Sequence, residues 1–381
     1  MTSTPAPQRR YDLDWLRIIA FGLLIFYHVG MFYVPWDWHV KSVHAGTGAE
    51  PFMRLSNPWR LSLLFFISGV AFAYLHDKLG AKRFALDRFG RLFPVIGFGM
   101  LVVVMPQTYF QLREMGQIEP GILAFWPRYI IEWEIAGIAV PTWNHLWYVV
   151  YVFVYALLLA PVLGIFKRIG AHLGSSLGRI LDGRFGPISL VILGFVPLMA
   201  YRIWLVPHFE TTHNLTSDWA NHAICFTFVL YGVFAARSDR LWSAVDRALP
   251  VTLMLTLGLA AVLTPIWIHW DQFLDRPVEL WAARTGRVLY AWTMILMLLG
   301  LARRFLNGDG PIRRYLTEAI FPVYILHQTI TVSAGYMLTR MGLDVWTEFA
   351  LLSAITALGA FAGFEVIRRM KPLRPVFGLK L

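Results

Sequence analysis

The sequence predicts an all-α, polytopic integral membrane protein, and three observations carry that prediction. Hydrophobic residues make up 57% of the 381-residue chain and charged residues only 15%, with a mean hydropathy of +0.56; soluble domains are about one-quarter charged. Apolar runs near the ~20 residues that cross a bilayer recur about ten times. Basic residues concentrate in alternate loops, as cytoplasmic loops of membrane proteins do.

The runs fall at about 15–35, 59–76, 92–110, 146–166, 188–206, 219–236, 250–269, 285–302, 318–338 and 347–367. The first carries Arg17 and His28 and lacks a following small-residue cleavage site, so it reads as a span rather than a signal peptide. The sixth and eighth are short. Pro35, Pro58, Pro141 and Pro187 punctuate the boundaries. Three parts follow: an N-terminal tail over 1–14, a ten-helix membrane domain over 15–370 and a C-terminal tail over 371–381.

Of the 34 basic residues, 23 lie in one alternating set of segments, including Arg9, Lys82, Lys167, Arg237, Arg303 and Arg368. The positive-inside rule places that set, and with it both termini, in the cytoplasm. An even number of spans agrees. The net charge of +11 is therefore spread over loops rather than gathered in a patch, which argues against nucleic acid. On the opposite face, residues 36–58 carry His39, Lys41, His44 and Glu50. The other long outer segment, 111–145, holds Trp126, Trp133 and Trp143 with Glu119, Glu132 and Glu134. Its length predicts a re-entrant or interfacial helix over the outer mouth.

Arg17 and His28 stand eleven positions apart on the first helix. That is about three turns, so both share one face, ~16 Å apart along the axis. An ionisable side chain at the bilayer centre costs about 2.5–3.5 kcal/mol on insertion scales, so such residues usually serve function. Histidine suits proton transfer near neutral pH. Arg17 suits an anionic ligand, though an arginine near a helix end also snorkels. Arg88 and Arg91 open the third span from the inside, where guanidinium groups bind phosphate bidentately. The run Asn144-His145-Leu146-Trp147-Tyr148 opens the fourth span from the outside, so His145 can approach His28, with Glu132 or Glu134 available to orient a histidine. His327 is a third histidine, in the ninth span. Ser68 in the second span reads as structural, bonding back to a carbonyl. The single Cys225 excludes an intrachain disulfide and reads as a buried small hydrophobe. No Walker loop, dinucleotide fingerprint, His-Glu-x-x-His or Gly-x-Ser-x-Gly motif is present, nor a cluster with metal-ligand spacing.

These motifs, in this order, resemble acyltransferase family three of integral membrane proteins. Arg17 and His28 match its Arg-x10-His on helix one, and Arg88 and Arg91 its Arg-x-x-Arg. The runs Phe65-Phe66-Ile67-Ser68-Gly69 and His145-Leu146-Trp147-Tyr148, with the Tyr324-to-His327 stretch, also match. The resemblance covers essentially the whole chain. The Trp38-His39-Val40-Lys41-Ser42 segment is similar to the branch that succinylates osmoregulated periplasmic glucans.

The resemblance implies a multi-pass protein of the bacterial inner membrane, with no permanently bound cofactor. It implies O-acyl transfer from cytoplasmic acyl-CoA (succinyl-CoA, or acetyl-CoA) to hydroxyls of a periplasmic glucan. Its implied neighbours are the lipid bilayer and glucan synthesis or export proteins. The implied catalytic set is His28, His145, Tyr148 and Glu134, with Arg17, Arg88, Arg91 and His327 contacting the donor. For a succinyl donor, a basic partner for the free carboxylate is expected among Lys41, Arg202, Arg284 and Arg287. Alternatives are O-acetylation of another envelope glycan, or transport of a glucan or polyol with no bond-making step.

Overall fold

Each of the ten apolar runs falls on helix in the computed structural model, which describes residues 9–381. In chain order the long elements are α1 (Tyr11–Tyr33), α3 (Arg60–Leu79), α4 (Ala81–Phe98) and α10 (Gly186–Trp204). α11 (Trp219–Ala235), α12 (Asp239–Ile268), α13 (Pro277–Phe305), α14 (Pro311–Leu338) and α15 (Val345–Arg369) follow. Shorter pieces are α2 (Glu50–Ser56), α5 (Met105–Glu114), α6 (Ile122–Ile131), α7 (Trp147–Leu159), α8 (Leu163–Ser176) and α9 (Gly178–Asp182). The only sheet among the described residues is a two-stranded hairpin of β1 (Glu134–Ile135) and β2 (Ile138–Ala139). The predicted N-terminal tail lies largely outside the described residues, and α1 starts at Tyr11, before the expected 15.

Seven helical stretches among the described residues are long and apolar enough to cross a membrane, or eight if α7 and α8, bent by 87°, count as one broken span. α11 falls short at 17 residues. α14 has the length but spends it on buried polar groups: Arg313, His327, Gln328 and Thr331 all face inward. α12 is the reverse, with a mean hydropathy of 2.0 over its most apolar stretch and only 22% of that stretch buried, so its apolar surface faces outward. In lipid the burial of an apolar side chain gains little, and packing quality decides which helices associate.

α1 lies inside the bundle, packed against α14, α13 and α3. α3 in turn meets α11 backbone to backbone. A Cβ on Gly69 would stand 2.0 Å from the Val229 carbonyl oxygen, and one on Gly232 would stand 2.0 Å from that of Phe66. Two glycines, one on each helix, therefore set the closest approach, the membrane equivalent of small-residue packing. α4 leads into α5 through a π turn at Gly99–Val103, where the ladder loosens before Pro106.

One end of the bundle is knitted by ions. Asp77 at the end of α3 meets Lys167 of α8 and Arg237; Asp246 of α12 meets Arg303 of α13 at 2.8 Å. Asp14 of α1 meets Arg313 of α14 at 2.6 Å. These are residues of the basic loop set, so those loops share one face. The C-terminal segment is not a free tail: Phe377 is 5% exposed and packs edge-on to Phe98, and Gly378 sits against Phe321. At the other end the 111–145 segment forms the short apolar helix α6 and the hairpin. Trp126 donates to the Leu101 carbonyl and Tyr129 to that of Met100, fastening this cap over the π turn. Lys41 closes the end of α1 by donating to the Met31 and Val34 carbonyls, both at 2.8 Å.

Two outcomes follow from this packing. Gly232→Ala lowers the thermal midpoint of the purified protein in detergent by several degrees through overpacking of about 1–3 kcal/mol, whereas Gly258→Ala on α12, with open space around it, does not. Burial of the Lys41 ammonium lowers its pKa to about 8, against about 10.4 in the unfolded chain. Between those values the unfolded chain binds the extra proton, so stability rises with pH across the window. Denaturation curves at pH 7.5 and 9.5 measure that rise, and Lys41→Met reduces it.

Candidate active site

His28, on the inner helix α1, meets His327 of α14 with its Nδ1 2.6 Å from the partner's Nε2. The two rings stack at 4.9 Å between centroids and 19° between planes. His327 Nδ1 lies 2.5 Å from the Tyr324 carbonyl, which can only accept. That nitrogen therefore carries hydrogen, Nε2 of neutral His327 accepts, and His28 Nδ1 must donate to it. The lone pair of His28 is left on Nε2, which makes no hydrogen bond to protein, while the residue lines a cavity of about 750 Å³.

The other two histidines of the site are fully committed. His145 Nε2 is 3.1 Å from the Ile325 carbonyl and so donates to it, leaving Nδ1 to accept from Gln107 Nε2 at 3.3 Å. Gln107 Oε1 accepts from Asn144 and from Gln328, at 3.1 and 3.0 Å. The second proton of the Gln328 amide goes to His39 Nε2, and His39 Nδ1 donates to Gln111 Oε1 at 2.6 Å. Two branches of this ladder run outward from Gln328, one through Gln107 and His145 to Ile325 and one through His39 to Gln111, and Asn144 donates into the first from the side. The ladder spans the loop after α1, α5, the entry to α7, and α14. Tyr324 fixes the same corner by donating to the His145 carbonyl at 2.5 Å. Asn144 takes a left-handed backbone, φ 38°, to turn the chain into α7; asparagine is among the few side chains that tolerate this.

Tyr148 lines the cavity below the histidines. Ser68 donates to the Leu64 carbonyl at 2.9 Å, as a serine in a membrane helix is expected to, so Tyr148 donates to Ser68, also at 2.9 Å. Tyr148 is also within electrostatic reach of Arg17, which does not itself line the cavity. Arg17 is 3.8 Å from Asp14, whose carboxylate is already held by Arg9 and Arg313 at 2.9 and 2.6 Å. Its Nε has no partner among the described residues. Arg17 is thus an under-neutralised cation near the N-terminal end of α1. Arg88 and Arg91 share one carboxylate, Asp87, in α4.

Two expected placements differ. Glu134 lies exposed on β1 and is not among the cavity residues; Gln107 and a backbone carbonyl orient His145 instead. Likewise His327, grouped in sequence with the donor-binding arginines, sits against His28. Sequence reading missed Gln107 and Gln328, whose signal is an uncharged amide inside an apolar run, and Arg60. Arg60 opens α3, is 5% exposed, stacks on Tyr27 with its Cζ 3.2 Å from the ring centroid, and lines the cavity with Arg202 and Arg287. Cys225 is buried in the wall, bonded to Asn221 Oδ1.

The chain is 24% identical over 397 residues to glucans biosynthesis protein C of Escherichia coli strain K12, spanning 100% of this chain and 97% of the relative. It is 25% identical over 391 residues to the protein of that name in Escherichia coli O6:K15:H31, with the same coverage. No solved structure matches. The acyltransferase domain profile matches residues 10–365, taking in both the His28–His327 pair and the arginines of α1 and α4, and the chain belongs to that acyltransferase family.

Proposed function

We propose that the protein moves a succinyl group from cytoplasmic succinyl-CoA to hydroxyls of a periplasmic glucan, with His28 as general base. The observation that carries this reading is the single uncommitted ring nitrogen among His28, His39, His145 and His327: Nε2 of His28, facing the cavity. The family supports acyl transfer, and the relatives' name supports a glucan acceptor. The basic loop set supports ten spans in the bacterial inner membrane with both termini inside. The cavity is lined in part by residues of the opposite, outer segments, such as Trp38, His39, Thr142 and Asn144, where a glucan would arrive.

Donor phosphates engage Arg17, Arg88 and Arg91 at the inner end, and the thioester arm passes Tyr148 to reach His28. His28 Nε2 takes the proton of the sugar hydroxyl as its oxygen attacks the thioester carbonyl. The imidazolium is stabilised through Nδ1–H to His327 and onward to the Tyr324 carbonyl. The tetrahedral intermediate collapses, the carbon–sulfur bond breaks, and the leaving thiolate receives the proton from Nε2. General-base help of this kind is worth about 10²–10⁴-fold. The oxyanion needs donors as well; the Tyr148 hydroxyl, by leaving Ser68, and the Asn144 amide line the right wall.

The decisive experiment supplies purified protein with succinyl-CoA and a glucan acceptor, follows thiol release, and weighs the glucan by mass spectrometry. Wild type adds one succinyl mass per substituent. His28→Ala lowers the rate at least ~10²-fold; a rate left intact sinks the assignment. His327→Leu lowers kcat by about tenfold or more, and His327→Gln, which keeps an acceptor for His28 Nδ1, restores part of it. Rapid quench with donor alone yields no acylated histidine if transfer is direct.

A further inference from the structure

We infer that Arg60, supported by Arg287 and Arg202, is the subsite for the free carboxylate of a dicarboxylic acyl group, and so sets which acyl group is transferred. This rests on the acyl-transfer reading above and deepens it.

Arg60 is 5% exposed and lines the cavity, and its Nε and Nη1, themselves buried, have no hydrogen-bond partner among the described residues. A buried guanidinium with unmet donors is costly unless an anion completes it. Nothing in the resting protein does so: among the residues lining the cavity Asp37 is the one carboxylate, and neither it nor any other acid pairs with Arg60, Arg202 or Arg287 among the described residues. Three cations against one anion leave this wall positive.

The wall is also built rigidly. Arg60 lies flat on the Tyr27 ring, the Tyr27 hydroxyl accepts from Asn57 Nδ2 at 2.7 Å, and Asn57 Oδ1 accepts from Arg287 at 3.1 Å. Two guanidinium groups are thereby tied to one amide and one phenol. Guanidinium is the group that binds carboxylate bidentately.

Distance selects the acyl group over the acceptor as the source of that carboxylate. Arg60 Cζ is 3.2 Å from the Tyr27 ring centroid, and that centroid is 5.9 Å from the His28 ring, so the guanidinium lies within about 9 Å of the base. A four-carbon diacid places its carboxylate ~4 Å from its reacting carbonyl carbon. An acyl group whose carbonyl is presented to a hydroxyl at His28 thus brings its far end to Arg60. An anionic substituent elsewhere on a sugar polymer has no such fixed span.

The test compares succinyl-CoA with butyryl-CoA, equal in chain length but neutral at the end, using the full-length protein in nanodiscs. Wild type prefers succinyl. In Arg60→Gln the succinyl-to-butyryl ratio of kcat/KM falls about 10- to 100-fold, and in Arg287→Gln it falls by a smaller factor. A ratio unchanged in both variants overturns the subsite, as does a loss that follows the charge of the acceptor instead of the donor. A second readout needs no turnover: succinate, but not butyrate, quenches tryptophan fluorescence of the wild type, through Trp38, Trp143 and Trp147 of the cavity, and Arg287→Gln weakens it. If succinate binds in this way while no acyl group is ever transferred, the acyl-transfer reading falls and the subsite stands. If acyl groups are transferred without regard to their charge, the subsite falls and the reading stands.

Discussion

The hydrogen bond from His28 to His327 is the interaction on which the site depends. By itself a 2.6 Å contact between two imidazoles says little, since either ring could donate. The Tyr324 carbonyl breaks the symmetry, because a carbonyl cannot donate and His327 must spend its hydrogen there. From that one constraint the lone pair of His28 is directed into the cavity. Proline lies two residues before Tyr324, at Pro322, inside a helix that nonetheless continues to Leu338. α14 therefore supplies both members of the relay, a ring and a backbone oxygen, within one turn.

The division of labour between the two halves of the molecule follows from where charge is neutralised. At the end that carries the basic loops, carboxylates outmatched by arginines bind loops together, and Arg17 is the group left short, because Asp14 is shared three ways. Around the histidines the polar groups are mostly neutral amides and imidazoles, joined in one hydrogen-bonded ladder, and Arg60, Arg202 and Arg287 stand beside them without a carboxylate partner among the described residues. Charge is thus concentrated at the end that carries the basic loops, and the histidine ladder is built from uncharged amides.

Much of this was legible in the chain. The ten apolar runs all fall on helix, and the spacing of Arg17 and His28 put both on one face of the first helix, which packs inside the bundle. His145 was expected to approach His28 from a facing helix, and its ring centroid lies 6.5 Å from that of His28. What sequence could not supply was tautomer and rank. His145 and His28 look alike as letters, yet only the carbonyl of Ile325, 180 positions away, reveals that His145 has nothing free to offer. Glu134 was attractive because carboxylates orient histidines; the hairpin β1–β2 carries it away, and uncharged Gln107 does that work at lower cost of burial. Arg60 drew no notice in the sequence because it stands beside Pro58 and Trp59 at the start of an apolar run, where a single arginine is ordinary.

The directional ladder through Gln328, Gln107, His145 and His39 has a further consequence for a protein set in an energised membrane. A file of imidazoles and amides leading into a bilayer is the usual makings of a proton wire. Here each ring nitrogen that could pick up a stray proton is already receiving a hydrogen bond, and the ends of the file rest on the oxygens of Gln111 and Ile325. With both acceptor nitrogens engaged, the file holds each ring in one tautomer and one orientation beside the open cavity.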